Sequence, residues 1–190
     1  MDRRSFVQTL GAGAVAALAP SDAASAVRHQ TQPTRPARIV PSEQGLTWEM
    51  APGRRMTFKL LSEQTADSIS VFEETVPVGA GTPLHIHHTS DEAIQVLAGE
   101  LTIRLGTEVS TVGAGTWVFI PRGSRHGWRN RGQAVARAVY VFTPSDGAKV
   151  FEESRRQGLG AIPSPDPAIM ARFQALCERY GYELVSLQWD

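Results

Sequence analysis

An all-β barrel followed by a C-terminal α-helix is the fold that this 190-residue sequence predicts, and three observations carry it. From Met56 onward, short apolar or alternating runs recur every eight to twelve residues, many of them separated by glycine or proline, the spacing of successive antiparallel strands. Three histidines and a glutamate lie on three of those runs, and four side chains from three strands meet only where the strands curl around a common interior. After Pro144 the pattern changes, and by Pro167 it has the period of a helix.

Taken in order, the chain opens with Met1-Asp2-Arg3-Arg4-Ser5-Phe6-Val7, a weakly apolar run from Leu10 to Ala19, and Ala24-Ser25-Ala26. A basic start, a short apolar core and a small-x-small site are the layout of a signal peptide, which is expected over residues 1–26. Its Arg3-Arg4-x-Phe6-Val7 core resembles the twin-arginine export signal, which implies a periplasmic protein folded before export. Residues 27–55 begin polar, with Pro33, Pro36 and Pro41, and are read as an arm or linker.

The barrel is placed at 56–143. Its strands are expected at Met56 to Leu61, Ser68 to Val76, Leu84 to His87, Glu92 to Ala98 and Leu101 to Leu105. Glu108 to Val112, Trp117 to Ile120, His126 to Arg129 and Ala134 to Phe142 continue the series. In the segment 144–190, Asp166 and Pro167 form an N-cap and first helical residue. Ile169, Phe173, Leu176 and Tyr180 then share one face, and Gly181 suits the C-terminal cap. This helix, about 167–180, is expected to pack on the outside of the barrel or against the partner of a homodimer. Cys177 lies on or beside the apolar stripe and reads as a buried, inert thiol.

Composition removes several classes of function. Nineteen basic and nineteen acidic side chains cancel, which argues against nucleic acid or a membrane surface as the partner. No apolar run approaches the roughly 20 residues of a bilayer span. One cysteine cannot form an intramolecular disulfide. A small-molecule substrate is the expected partner, since an apolar, aromatic-walled cavity around a few polar groups is the usual make-up of such a site.

The chemistry concentrates in two stretches. Gly79-Ala-Gly-Thr-Pro-Leu-His85-Ile-His87-His88-Thr-Ser-Asp-Glu92 is closed by Gly99; Gly115 is followed by Pro121-Arg122-Gly123-Ser-Arg-His126 and Asn130. His85 and His87 are two apart, so on a strand both imidazoles face one way. Together with Glu92 and His126 they form a mixed nitrogen and oxygen donor set for one divalent metal ion. Mn, Fe, Co or Ni would keep open coordination positions, whereas tetrahedral Zn would use all four protein ligands. By parity, Ile94 and Val96 lie on the Glu92 face and Trp128 on the His126 face. These three are the candidate pocket walls, with Trp117 or Phe119 as further ones. His88 and Asp91 should point away from the site. Arg122, Arg125, Arg129 and Arg131 crowd the second stretch.

The two stretches resemble the paired motifs of the cupins, G-x5-H-x-H-x4-E-x6-G and G-x5-P-x-G-x2-H-x3-N, with every fixed position filled and fifteen residues, Glu100 to Ala114, between them. The resemblance implies a double-stranded β-helix, or jelly roll, holding one metal through His85, His87, Glu92 and His126. Thr82-Pro-Leu-His-Ile-His-His-Thr-Ser-Asp-Glu-Ala, Phe119-Ile-Pro-Arg-Gly-Ser-Arg-His, Phe142-Thr-Pro and Arg179-Tyr-Gly-Tyr-Glu look closest to quercetin 2,3-dioxygenase-like members. That likeness implies oxidative cleavage of a flavonol-like or enol-bearing aromatic, with Glu92 as ligand and proton acceptor. A non-catalytic periplasmic binding protein and a metal-assisted isomerase or decarboxylase are the alternatives.

Overall fold

The computed structural model describes residues 36–160 and 162–188; the expected signal segment, 1–26, and the first part of the arm lie outside them. Eleven strands form two antiparallel sheets. Their ranges are β1 Leu46–Ala51, β2 Arg54–Leu60, β3 Ser70–Val76, β4 Leu84–His87, β5 Asp91–Ala98 and β6 Glu100–Leu105. β7 Glu108–Gly113, β8 Trp117–Ile120, β9 His126–Arg129, β10 Ala136–Thr143 and β11 Tyr182–Ser186 complete the set. One sheet runs β1-β2-β3-β10-β5-β8 and the other β11-β4-β9-β6-β7, the double-sheet arrangement of a jelly roll.

Period-two alternation decides which side chains fill the space between the sheets. Ser70, Phe72, Glu74 and Val76 are buried on β3, Glu92, Ile94 and Val96 on β5, and Ala136, Ala138, Tyr140 and Phe142 on β10. Register then fixes the neighbours: Glu92 faces Phe142, Ile94 faces Tyr140, and Ala138 faces Glu74. Two of the three strands therefore carry an acid into an otherwise aromatic and aliphatic core, an arrangement costly unless the carboxylate is partnered.

Three elements stand outside those expected. β1 forms the sheet edge inside the segment read as an arm, a helix α1, Asp146–Arg156, follows β10, and β11 returns after the C-terminal helix to pair with β4. The helix at the C-terminus, α2 Pro167–Arg179, starts with Asp166 Oδ1 accepting the Ala168 N–H at 2.8 Å. It buries Phe173, Leu176 and Cys177 in a second apolar cluster with Val150 of α1 and Tyr182 of β11. Burial pushes the Cys177 thiol up to about 12, which suits an unreactive packing residue. No helix among the described residues is long and apolar enough to cross a membrane.

Candidate metal centre and interior cavity

His85, His87, Glu92 and His126 converge inside the barrel, all four buried, with one potential ligand atom each and all those atoms within 4.8 Å of one another. β4 and β9 deliver the imidazoles: His85 lies directly across the strand pair from His126. The route to His126 depends on the Pro121-to-Ser124 turn, where Gly123 sits at φ +81°, a left-handed conformation that favours glycine. The Gly123 N–H donates to the His87 carbonyl at 2.8 Å, tying the two motifs together. Asn130, the last motif position, is a brace: its Nδ2 donates to the carbonyls of Val76 and Ala134, and its Oδ1 accepts from Gly132.

The tautomers are set by the backbone. His85 Nδ1 lies 2.8 Å from the Pro83 carbonyl and His126 Nδ1 lies 2.9 Å from that of Ser124. A carbonyl can only accept, so in each ring Nδ1 carries a proton and Nε2 is the atom turned to the interior, where it can ligate a metal ion once unprotonated. That is how metal-ligating histidines are usually held. His87 has no such orienter: both of its ring nitrogens are buried without a hydrogen-bond partner. A Cβ added at Gly147 of α1 would stand 2.9 Å from His87 Nδ1, so the start of that helix presses on the ring. Tyr182 of β11 stacks on His85 with ring centroids 4.6 Å apart and meets the edge of His87 at 4.8 Å.

Glu92 Oε2 lies 2.9 Å from His126 Nε2 and 3.4 Å from His87 Nε2. Burial works against the Glu92 charge, but the hydrogen bond with His126 and the nearby His87 ring prevail and hold its carboxyl well below the ordinary range. Burial lowers His85 and His87, keeping both neutral, while the Glu92 contact outweighs burial at His126 and raises it. Neutral imidazoles and an ionised carboxylate are the forms that bind a divalent ion. Ligands on opposite sides of an ion with bonds of about 2.1 Å stand roughly 4.2 Å apart, so the cluster fits one ion after a small contraction. The unpartnered His87 Nε2, on the Glu92 side of the ring, is what such an ion would satisfy.

Beside the cluster lies a cavity of about 20 Å³, bordered on the ligand side by His85, His87 and Glu92 and elsewhere by Arg54, Glu74, Tyr140 and apolar walls. Trp128 lines it. Ile94 and Val96 are fully buried in the apolar core and are not among its lining residues. Trp117 and Phe119 are 57% and 63% exposed on the outer face of β8. Glu92 pairs with Ile120 and Ile94 with Val118, so the inward parity on this strand belongs to the aliphatic residues and the two rings turn to solvent. His88 points outward to Glu183, 2.7 Å away. Asp91 also faces out and accepts from the Arg122 backbone and guanidinium at 2.9 and 3.0 Å.

The cavity contains a second polar group that no motif announced. Arg54 Nε donates to Glu74 Oε1 at 2.7 Å, and the guanidinium carbon sits 5.6 Å from the Trp128 ring centroid. Burial lifts the Glu74 carboxyl above its ordinary value even with Arg54 beside it, and the nearby Glu92 charge adds to the effect. The Tyr140 hydroxyl is buried with no hydrogen-bond partner.

Residues 72–142 match the cupin domain family. The barrel has a cupin fold. Over 63% of this chain and 80% of the relative, the sequence is 28% identical to the tetracenomycin polyketide synthase protein TcmJ of Streptomyces glaucescens. The fold is similar to that of a predicted oxalate decarboxylase from Thermotoga maritima, at 20% identity and a TM-score of 0.51, covering 56% of this chain and 99% of the other. KdgF from Halomonas sp. is also similar, at 16% identity and a TM-score of 0.51, covering 57% and 94%.

Proposed function

We propose that this protein is a divalent-metal-dependent enzyme acting on a small enolisable or enol-bearing molecule, and that Glu74 is its proton acceptor. The observation that carries the reading is the placement of the His85–His87–Glu92–His126 cluster and an independent buried carboxylate, Glu74, beside one small interior cavity. A divalent ion held by the four ligands would supply Lewis-acid polarisation of a substrate carbonyl or enol oxygen. Glu74 then takes a proton from the carbon next to that carbonyl. The C–H bond breaks, its electron pair passes to the carbonyl oxygen, and the acid formed on Glu74 can return the proton elsewhere. A carboxyl lifted by burial is the better matched to this task near neutral pH. Arg54 holds Glu74 in place through Nε. Met56, Phe72, Phe142 and Phe151 line the cavity and exclude water. The polyketide synthase in the name of the Streptomyces relative supports this class, because polyketide chains are rich in enolisable ketones.

Oxidative cleavage of a flavonol-like enol is the second reading. The aromatic walls favour it, and dioxygen would be the co-substrate. Glu92 is then both ligand and proton acceptor. Either substrate requires the interior to open beyond the present cavity of about 20 Å³, a flavonol most of all, since drug-sized ligands occupy several hundred cubic ångströms. Export by the twin-arginine route belongs to the same proposal and rests on Arg3, Arg4, Phe6 and Val7.

One experiment separates the readings. Protein reconstituted separately with Mn, Fe, Co, Ni and Zn is given small β-dicarbonyl compounds in D2O and, in parallel, quercetin in an oxygen electrode. Deuterium entering the substrate carbon by NMR, lost in Glu74→Gln, is the expected result. Oxygen uptake with quercetin selects the dioxygenase instead. Neither activity in any metal form refutes both and leaves a binding protein.

A further inference from the structure

We infer that Arg54 and Tyr140 form a subsite for one anionic oxygen, and that the molecule taken into the barrel is a small monoanion, a carboxylate or an enolate. This inference deepens the reading above and rests on it for the metal. Its first observation is the Tyr140 hydroxyl, which borders the cavity, is buried, and has no hydrogen-bond partner. A buried hydroxyl without a partner costs free energy. In this position it becomes a donor as soon as an oxygen enters the cavity.

The second observation is Arg54. Its Nε is committed to Glu74, and the two Nη groups are the remaining donors of the guanidinium. Arg54 and Tyr140 flank the same indole: the guanidinium carbon is 5.6 Å from the Trp128 ring centroid and the Tyr140 ring 5.4 Å from it. The Arg54 side chain retains 12% exposure, whereas Glu74, Tyr140 and the four ligands are buried. Arg54 and Phe151 are the lining residues that are only partly buried, so the cavity comes nearest to solvent on their side.

Charge balance selects the class of ligand. One guanidinium and two carboxylates, Glu74 and Glu92, leave a single negative charge in the cavity wall. A divalent ion on neutral imidazoles turns that into a single positive charge, which one monoanion neutralises. A dianion would restore an uncompensated buried charge, and a neutral molecule would leave one. Planar oxygen pairs suit the arginine fork and the phenol together.

The test uses the full chain loaded with Zn, which has no redox chemistry of its own, and isothermal titration with pyruvate against its neutral amide. Pyruvate is expected to bind at least tenfold more tightly than pyruvamide, and chelated protein is expected to bind neither. Tyr140→Phe keeps the ring and removes a buried hydroxyl that has no partner to lose, so its melting temperature should equal or exceed that of the wild type and its zinc content should match. Its affinity for pyruvate should fall about tenfold, the worth of a hydrogen bond to a charged group. Arg54→Lys keeps the charge beside Glu74 but not the fork and should weaken pyruvate further. Equal pyruvate affinity in Tyr140→Phe and wild type would show the anion sitting on zinc alone and overturn the subsite, as would equal binding of the amide or no binding by wild type. Anion binding without deuterium exchange in any metal form would refute the enzyme and leave the subsite standing.

Discussion

Two buried polar clusters share the interior of this barrel, and they solve the cost of burial in opposite ways. His85, His87, Glu92 and His126 turn their ligand atoms toward one another, with two donor protons directed away to the Pro83 and Ser124 carbonyls. Such a set is short of positive charge at its centre. Arg54 and Glu74, by contrast, close on each other at 2.7 Å and need no ion. The difference teaches that the first cluster is completed from outside, by a cation, whereas the second is complete as an ion pair and offers only its spare donors and its carboxylate to a ligand.

Breaking the self-sufficient pair should have the largest effect on stability. Removal of one partner leaves a charge buried without compensation, which costs about 3–5 kcal/mol. Arg54→Met should therefore lower the urea midpoint strongly. The double variant Arg54→Met/Glu74→Leu removes both charges and should recover most of the loss, because apolar replacement of a buried pair is often neutral or better. If the double variant is as unstable as the single one, the pair contributes through packing on Trp128 and not through charge.

The metal cluster should respond to chemistry that leaves the ion pair untouched. A ligand present at about a thousand times its dissociation constant stabilises the native state by about 4 kcal/mol. A chelator is expected to lower the melting temperature of metal-loaded protein, and His126→Ala should behave like the chelated wild type without further response to chelator. Arg54→Met should still show the full chelator response. A melting curve indifferent to chelator in every metal form would remove the distinction between the two clusters.

The same contrast explains what can be read from the chain. The metal ligands lie in two compact stretches, and period-two alternation alone puts His85 and His87 on one face. The α2 start is equally legible, since Asp166 and Pro167 are local signals. Arg54, Glu74 and Tyr140 come from three strands separated by 20 and 66 positions, and only the register of β2, β3 and β10 brings them to one cavity. Glu74 stands beside Glu73 in sequence, one buried and the other half-buried, so nothing short of strand parity tells them apart. Trp117 and Phe119 mislead for a related reason. Ring size suggests an interior wall, but the pairing of β8 with β5 turns Val118 and Ile120 inward. α1 carries only weak signals, Ser145 at the N-cap, Asp146 in the first turn and Arg155 and Arg156 in the last, offset by Gly147, which serves the approach to His87 instead.

The smallest expected effect concerns Asp91, the outward neighbour of Glu92. Both are acids on β5, yet one faces the metal ligands and the other a loop arginine. The Arg122 guanidinium, then its backbone N–H, hold the Asp91 carboxyl down from its ordinary 3.8 to about 2. A depressed acid stabilises the fold at pH values above its unfolded pKa and loses that contribution as pH falls through the folded one. The window is therefore between about 4 and about 2. Asp91→Asn mimics the protonated acid in charge, so wild type should melt slightly higher than the variant at pH 7. That gap should shrink as pH falls through this window. Because the pair is exposed, added salt should narrow the gap at pH 7 as well. A gap that is constant from pH 7 to pH 2 would show that Asp91 acts through the neutral hydrogen bond to the Arg122 backbone and not through its charge.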